Sequence, residues 1–344
     1  MEPRHLEVED LRCRVSNYTI MYNQSELKKI VDKAIVNLSY NTEAQKLIDP
    51  VKYILSMGGK RLRPVLSLMS LNLFNDYIDD GIMPAAGLEV FHNFTLVHDD
   101  IMDQAPVRRN MPTVHKKWDI NQAVLSGDVM AFVANECFLQ APPSNLAKVF
   151  RVFNKAAIEV CVGQQLDIDF EKTALISQEE YLRMIELKTA VLLAASARIG
   201  AIIGGADDRD ADLLYEFGRN LGLAFQIQDD LLDIYGDIKV FGKIPGGDIV
   251  ANKKTFLLVK ALETASPEQL KRLLELFSPN NKEPEEKVTK VMEIYDHLNV
   301  RRITESLAHD HINTAFSHLE KVSVKKERKE EITQIAVSLI GRDK

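Results

Sequence analysis

Cysteine is scarce: Cys13, Cys137 and Cys161 are the only three in 344 residues, and no two of them form a CxxC pair. That usage excludes a disulfide framework and a thiolate zinc cluster, and it suits a reducing compartment, so a cytoplasmic location is expected. Long apolar runs are missing too. The longest, Ala190 to Gly205, is broken by Ser196 and Arg198 and is shorter than the roughly 20 residues a membrane helix needs, so no membrane span is expected. Met1 to Asn17 alternates acidic and basic residues without the apolar centre of a signal peptide. Residues 1–17 therefore read as a loose extension ahead of one domain over 18–344. Positive charge is not in excess: 43 Lys plus Arg face 50 Asp plus Glu, a net −7 whose field repels polyanions such as nucleic acid. The single tryptophan, Trp118, and the scattered aromatics offer no base-stacking surface. No Ser/Gly/Pro-rich linker and no internal repeat divides the chain. GxSxG, Walker, GxGxxG and HExxH motifs are all absent.

What the sequence does have is helical periodicity. Val90, Phe94, Val97 and Ile101 recur at spacings of three and four, which at about 3.6 residues per turn is one apolar stripe. Breakers at Gly58-Gly59, Gly81 to Pro84, Pro106 to Pro112, Pro142-Pro143, Gly204-Gly205 and Gly242 to Gly247 leave room for helices between them. The pattern predicts helices over 25–40, 44–57, 61–74, 83–103, 118–139, 144–168, 178–204, 208–235, 253–264, 266–277, 284–298, 300–321 and 328–340, with a loop from Ser278 to Glu286. An all-α bundle is the economical architecture.

Two identical acidic clusters interrupt this apolar pattern. Asp99-Asp100-Ile101-Met102-Asp103 and Asp229-Asp230-Leu231-Leu232-Asp233 both read DDxxD. On a helix the first and last aspartates share a face, with the middle one turned about 100° away. Like charges so placed repel, and burying them costs free energy unless cations compensate. Oxygen donors without His or Cys select a hard ion such as Mg²⁺, which takes one or two carboxylates, several waters and substrate phosphates. Two facing clusters thus point to a phosphate-bearing ligand held between helices. Asp79-Asp80 and Asp207-Asp208, beside glycines, read instead as solvated loop acids.

Basic residues supply the complement. Gly58-Gly59-Lys60-Arg61-Leu62-Arg63-Pro64 opens a helix after a flexible turn, with three cations in four positions, a pattern suited to a diphosphate. Arg108-Arg109 follows the first cluster within one short loop. His92 lies seven and eleven residues before Asp99 and Asp103, whole turns to within about 20°, so it shares their stripe. Glu89 to His92 is also an ExxH of the kind carboxylate-bridged iron sites use, but that architecture requires a second ExxH on another helix, and Glu293 to His297 and Glu305 to His309 have the wrong spacing.

The set Gly59-Lys60-xx-Arg63, DDxxD followed by Arg108-Arg109, Gly163-Gln164-xx-Asp167, Lys188-Thr189, Phe225-Gln226-Ile227-xx-Asp229-Asp230-xx-Asp233, and Gly242-Lys243 to Gly247-Asp248 with Lys253 resembles the trans-isoprenyl diphosphate synthases, from about Lys52 to Lys260. The resemblance implies an all-α bundle of antiparallel helices around a deep central cavity, normally a homodimer. It implies three Mg²⁺ between Asp99, Asp103 and Asp229, and an allylic diphosphate (dimethylallyl, geranyl or farnesyl) on Arg108, Lys188, Lys243 and Lys253. Isopentenyl diphosphate is implied on Gly59, Lys60, Arg63, His92 and Arg109. Asp100, Asp230, Asp233, Thr189, Gln226 and Gln164 complete the implied site, with Thr189, Gln226 and Lys188 near the allylic cation. Phe94 and Phe91, the fifth and eighth residues before the first cluster, sit where the family limits chain growth. An aromatic at the fifth position beside the small Thr95 favours a geranylgeranyl product over farnesyl. Departures are Asn110 and Asn252 where glycine is common, which bear on loop conformation. A cyclase of the same fold would not need the GGKRxRP segment, and non-catalytic partner subunits typically lack the aspartates.

Overall fold

The computed structural model describes residues 20–40, 42–236, 245–278 and 284–340. The 1–17 extension and Lys243 lie outside the described residues. Helices dominate: α1 (Gln24–Val36), α2 (Gln45–Ser56), α3 (Leu62–Asn72) and α4 (Asp79–Met102) lead into a small hairpin, β1 (Val107–Arg108) with β2 (Met111–Pro112). Then come α5 (Val114–Lys117), α6 (Ile120–Phe138), α7 (Leu146–Glu171) and α8 (Gln178–Ile185). A π-helical turn (Glu186–Ala190) joins α8 to α9 (Val191–Gly204), and α10 (Asp208–Tyr235) follows. The remainder is α11 (Gly247–Val250), α12 (Phe256–Thr264), α13 (Pro267–Leu276), α14 (Pro284–His297), α15 (Val300–Glu320), a 3₁₀ turn (Lys326–Lys329) and α16 (Glu330–Ile340).

Local chemistry sets the helix ends. Asn23 with Glu26, Ser177 with Glu180, and Ser266 with Gln269 form reciprocal capping boxes, each satisfying an orphan amide at both positions. Two of the expected loops are corrected here. Asp79 and Asp80 form the acidic first turn of α4, and Asp207 caps α10 by accepting from the Asp210 amide. Carboxylates favour helix N-termini, where amides point at them, and Gly81 and Pro84 are absorbed inside a 24-residue helix.

The core runs between helices rather than beneath a sheet. One apolar cluster links Leu27 of α1 to Leu339 of α16, with two smaller clusters around Tyr181 and Tyr295. Within it α4 packs on α6, α3 on α9, and α10 on both α9 and α15. Among the described residues one continuous helix, Gln178–Gly204, is long and apolar enough to cross a membrane; its most apolar stretch is 83% buried against other helices. The apolar run broken by Ser196 and Arg198 is thus part of a longer helix, and the burial accounts for its composition.

Candidate active site

α4, α7, the π-turn and α10 surround a cavity of about 490 Å³. Arg63, His92, Asp99, Arg108, Gln164, Lys188, Thr189, Gln226 and Asp229 all line it, so these residues picked from the sequence converge on one space. On α7, Cys161, Gln165 and Ile168 also line it, on the same helical stripe as Gln164 at spacings of three and four.

The helical phase separates the aspartates. Asp99 and Asp229 face the cavity, and Asp103 is exposed one turn beyond Asp99. Burial pushes the Asp99 carboxyl up to about 6, Lys188 pulls it down and Asp103 raises it further. Asp100 turns inward instead. It is 2% exposed and accepts a two-pronged contact from Arg108, Nε to Oδ2 and Nη2 to Oδ1, each 2.8 Å. Asp230 is buried too, accepting from the Tyr181 hydroxyl (2.5 Å), Gln226 Nε2 (3.1 Å) and the Phe256 amide (3.1 Å). Burial raises its pKa to about 7, with the Tyr181 hydrogen bond acting against the rise. Asp233 accepts the Asp248 amide at 2.8 Å and so holds the start of α11. Asp100 and Asp230 therefore leave the group of direct ligand contacts and become supports. The role of Tyr181 had no signal in the sequence.

The cations are held in place in the same manner. Asp167 accepts from Lys188 Nζ at 2.5 Å, and Lys253 lies 3.6 Å from Asp248. Burial lowers the Lys253 pKa, but Asp248, Asp103, Asp167 and Asp233 outweigh it and raise the net value, which puts this lysine in the field of both clusters. Lys188 and Thr189 sit on the π-turn, and α7 packs so closely on it at Gly163 that a β-carbon there would lie 2.7 Å from the Lys188 α-carbon. Thr189 Oγ1 donates to Gln226 Oε1 at 3.0 Å, continuing the chain of bonds through Asp230 to Tyr181.

A second cationic group lies beside His92. Gly58, Gly59 and Arg61 all adopt positive φ, which bends the chain sharply ahead of α3. Arg109 donates to the Gly58 carbonyl, and its guanidinium lies against Gly59. Lys60 is exposed at the turn. Arg61 corrects the reading of three ligand-facing cations: it is 4% exposed and donates to Asp32 (2.9 Å), Glu89 (2.7 Å) and the Leu55 carbonyl (2.7 Å). Glu89 is thereby committed to Arg61 and to Asn93, which removes it as an iron ligand. Burial lowers the Arg63 pKa to about 10 and, with Arg63, Arg109, Arg108 and Arg61 around it, holds His92 well below the usual imidazole range. His92 is neutral near pH 7.

The hairpin carrying Arg108 and Arg109 is clamped by Tyr53, whose hydroxyl donates to the Pro112 carbonyl at 2.8 Å. Its two-residue turn places Arg109 and Asn110 at φ 51° and 63°. Asn252 stands at φ 58°. Asparagine tolerates this left-handed region better than other side chains do, so both departures from glycine keep the loop geometry.

Phe94 lines the cavity, while Phe91 does not. Phe91 is 4% exposed, packed behind Phe94 (centroids 5.4 Å apart) and edge-on to Phe153 (5.1 Å). Among the described residues no group of three or more His, Cys, Asp or Glu is close enough to hold a metal alone. Asp99 and Asp229, two carboxylates facing a shared space flanked by cations, fit a hard ion that completes its shell with water and phosphate oxygens.

An all-α bundle whose two DDxxD helices face one cavity, with arginines around a neutral histidine at its edge, has the architecture of an isoprenyl diphosphate synthase. The polyprenyl synthetase family profile matches residues 44–295. The chain is similar to a geranylgeranyl diphosphate synthase from Methanosarcina mazei, 36% identical over 91% of this chain and 95% of the relative. It is also similar to a geranylfarnesyl diphosphate synthase from Natronomonas pharaonis, 38% identical over 69% of this chain and 75% of the relative. A crystal structure of a geranylgeranyl pyrophosphate synthase superposes with a TM-score of 0.89 at 40% identity, covering 94% of this chain and all of that one. The chain belongs to the polyprenyl synthetase family and is a trans-prenyltransferase.

Proposed function

We propose that this prenyltransferase condenses isopentenyl diphosphate with an allylic diphosphate to give geranylgeranyl diphosphate, as a cytoplasmic homodimer. The observation that supports it best is the make-up of the cavity lining: carboxylates and cations together with the apolar Phe94, Leu96, Val160 and Ile168. Three Mg²⁺ ions held by Asp99, Asp103 and Asp229 would supply neutralisation of the leaving diphosphate.

The chain's own residues do the rest. Lys188, Arg108 and Lys253, each oriented by an aspartate, hold the oxygens of the allylic diphosphate, with Lys243 assigned to the same group. Charge develops on the allylic carbon as the diphosphate leaves, and the Thr189 and Gln226 oxygens, locked by their mutual hydrogen bond, present dipoles to it. Isopentenyl diphosphate binds at Gly59, Lys60, Arg63, His92 and Arg109. The neutral His92 contributes an N–H donor without titrating in the working range. Carbon–carbon bond formation then follows from positioning, and the final proton passes to the departing diphosphate, so no side-chain base is required.

The test is incubation of purified protein with Mg²⁺, isopentenyl diphosphate and labelled dimethylallyl, geranyl or farnesyl diphosphate. A geranylgeranyl product is expected. A farnesyl or longer product would correct the chain length, and no incorporation with any primer would leave the non-catalytic subunit reading.

A dimer is supported by the surface of α6. Leu125, Phe132 and Leu139 are 55, 70 and 52% exposed and recur every seven residues, an apolar stripe left largely uncovered by the described residues.

A further inference from the structure

Gly127 lies on α6, a helix that contributes none of the residues discussed for catalysis. Its missing side chain makes room for His98. His98 lines the cavity one helical turn along α4 from Phe94, and the two rings meet edge-on at 4.8 Å. Its Nε2–H donates to the Val124 carbonyl at 3.2 Å, and the Asp128 carboxylate lies 3.9 Å from the same nitrogen. The imidazole is thus seated on the α6 backbone where Gly127 leaves a notch. A β-carbon at position 127 would stand 2.6 Å from the imidazole Cδ2, well inside van der Waals contact, so any side chain there must displace the ring. With α6 behind it, the ring packs against Phe94 on one side and lines the cavity, and its side chain is 21% exposed.

We infer that Gly127 is a specificity-determining position: by seating His98 in the wall, it sets the width of the cavity beside Phe94 and with it the number of five-carbon units the product reaches. The inference rests on the prenyl-transfer reading above. His98 acts on the path of the growing chain, and Gly127 is a positioning residue that acts through His98. Neither holds diphosphate.

Three variants of the full chain test it: Gly127→Ala, His98→Ala and the double substitution, each supplied with Mg²⁺, isopentenyl diphosphate and labelled dimethylallyl diphosphate. Gly127→Ala is expected to shorten the main product by one five-carbon unit. The ratio of longest to next-shortest product falls about tenfold or more, the scale on which an apolar pocket discriminates size. The first condensation keeps its rate. His98→Ala lengthens the product, and the double variant returns to the parental length or exceeds it, because the new methyl group enters space the ring has left. A parental distribution from Gly127→Ala, or a double variant as short as Gly127→Ala alone, would overturn the inference. If Gly127→Ala does not fold, His98→Ala decides, and an unchanged distribution overturns it. A parent protein that condenses no primer at all would overturn the prenyl-transfer reading as well, an outcome distinguishable from a working parent whose variants do not shift.

Discussion

Arg61 stands between Lys60 and Arg63 in the sequence, yet its environment gives it a different role. Its three donated hydrogen bonds close on Asp32, Glu89 and a main-chain carbonyl in the interior. Removing it strands the Glu89 carboxylate, 2% exposed, without its countercharge. Arg61→Ala is therefore expected to cost about 3–5 kcal/mol of stability, read from denaturant unfolding. Lys60→Ala, at an exposed position, should leave that midpoint in place and raise the KM for isopentenyl diphosphate about tenfold, the worth of one charge-assisted contact. Equal behaviour of the two variants would remove the distinction. Phe91 and Phe94 divide in the same way. Phe94→Ala opens the cavity and is expected to lengthen the main product, and an unchanged distribution would show that another side chain closes it. Phe91→Ala empties a packed aromatic site and is expected to cost about 3–5 kcal/mol in stability. Its effect on product length should be the smaller of the two.

At the scale of elements, what was legible in the sequence is what short-range periodicity dictates. The expected helices over 144–168 and 208–235 fall within a few residues of Leu146–Glu171 and Asp208–Tyr235, because apolar spacing and caps are local signals. The same phase argument placed Asp99 apart from Asp100. What it could not give was the partner: Arg108 for Asp100, Tyr181 for Asp230 and Asp32 for Arg61 are fixed by tertiary packing. The π-turn under Lys188, packed against α7 at Gly163, carries no local signal of that kind. Lys287 of α14 is a further tertiary link, donating to the Ile249 carbonyl (2.5 Å) and to Asn252 Oδ1 (2.6 Å). It ties α14 to α11 and to the turn before Lys253. Burial lowers its pKa from 10.5 to about 8. Below pH 8 it is charged both folded and unfolded, and the cost of burying that charge is fully present. Between about 8 and 10.5 the unfolded chain binds the extra proton, so this residue's contribution to stability rises with pH. Unfolding midpoints across that window should climb more steeply for the parent than for Lys287→Met, and parallel curves would refute the assignment.

For the whole molecule, net charge was a poor guide to the site. A chain of net −7 still gathers Arg63, Arg108 and Arg109 around one histidine, because local sign follows from which side chains the fold brings together. The α6 face presents the opposite case, a feature legible in sequence only as a heptad and given meaning by exposure. Leu125, Phe132 and Leu139 line one stripe on the outer side of the helix whose inner side packs on α4 and seats His98. A second copy of the chain covering that stripe would bury apolar area that water otherwise contacts, and it would brace α6 from outside against the cavity wall. Phe132, 70% exposed, is the largest of these side chains. Phe132→Glu places a charge in the centre of the stripe and is expected to convert the proposed dimer into a monomer, as measured by light scattering on a sizing column. If the stripe is the interface, loss of the dimer should also loosen α6 and broaden the product distribution. A parental dimer from Phe132→Glu would place the interface elsewhere. A monomeric parent would leave the stripe without a self-partner.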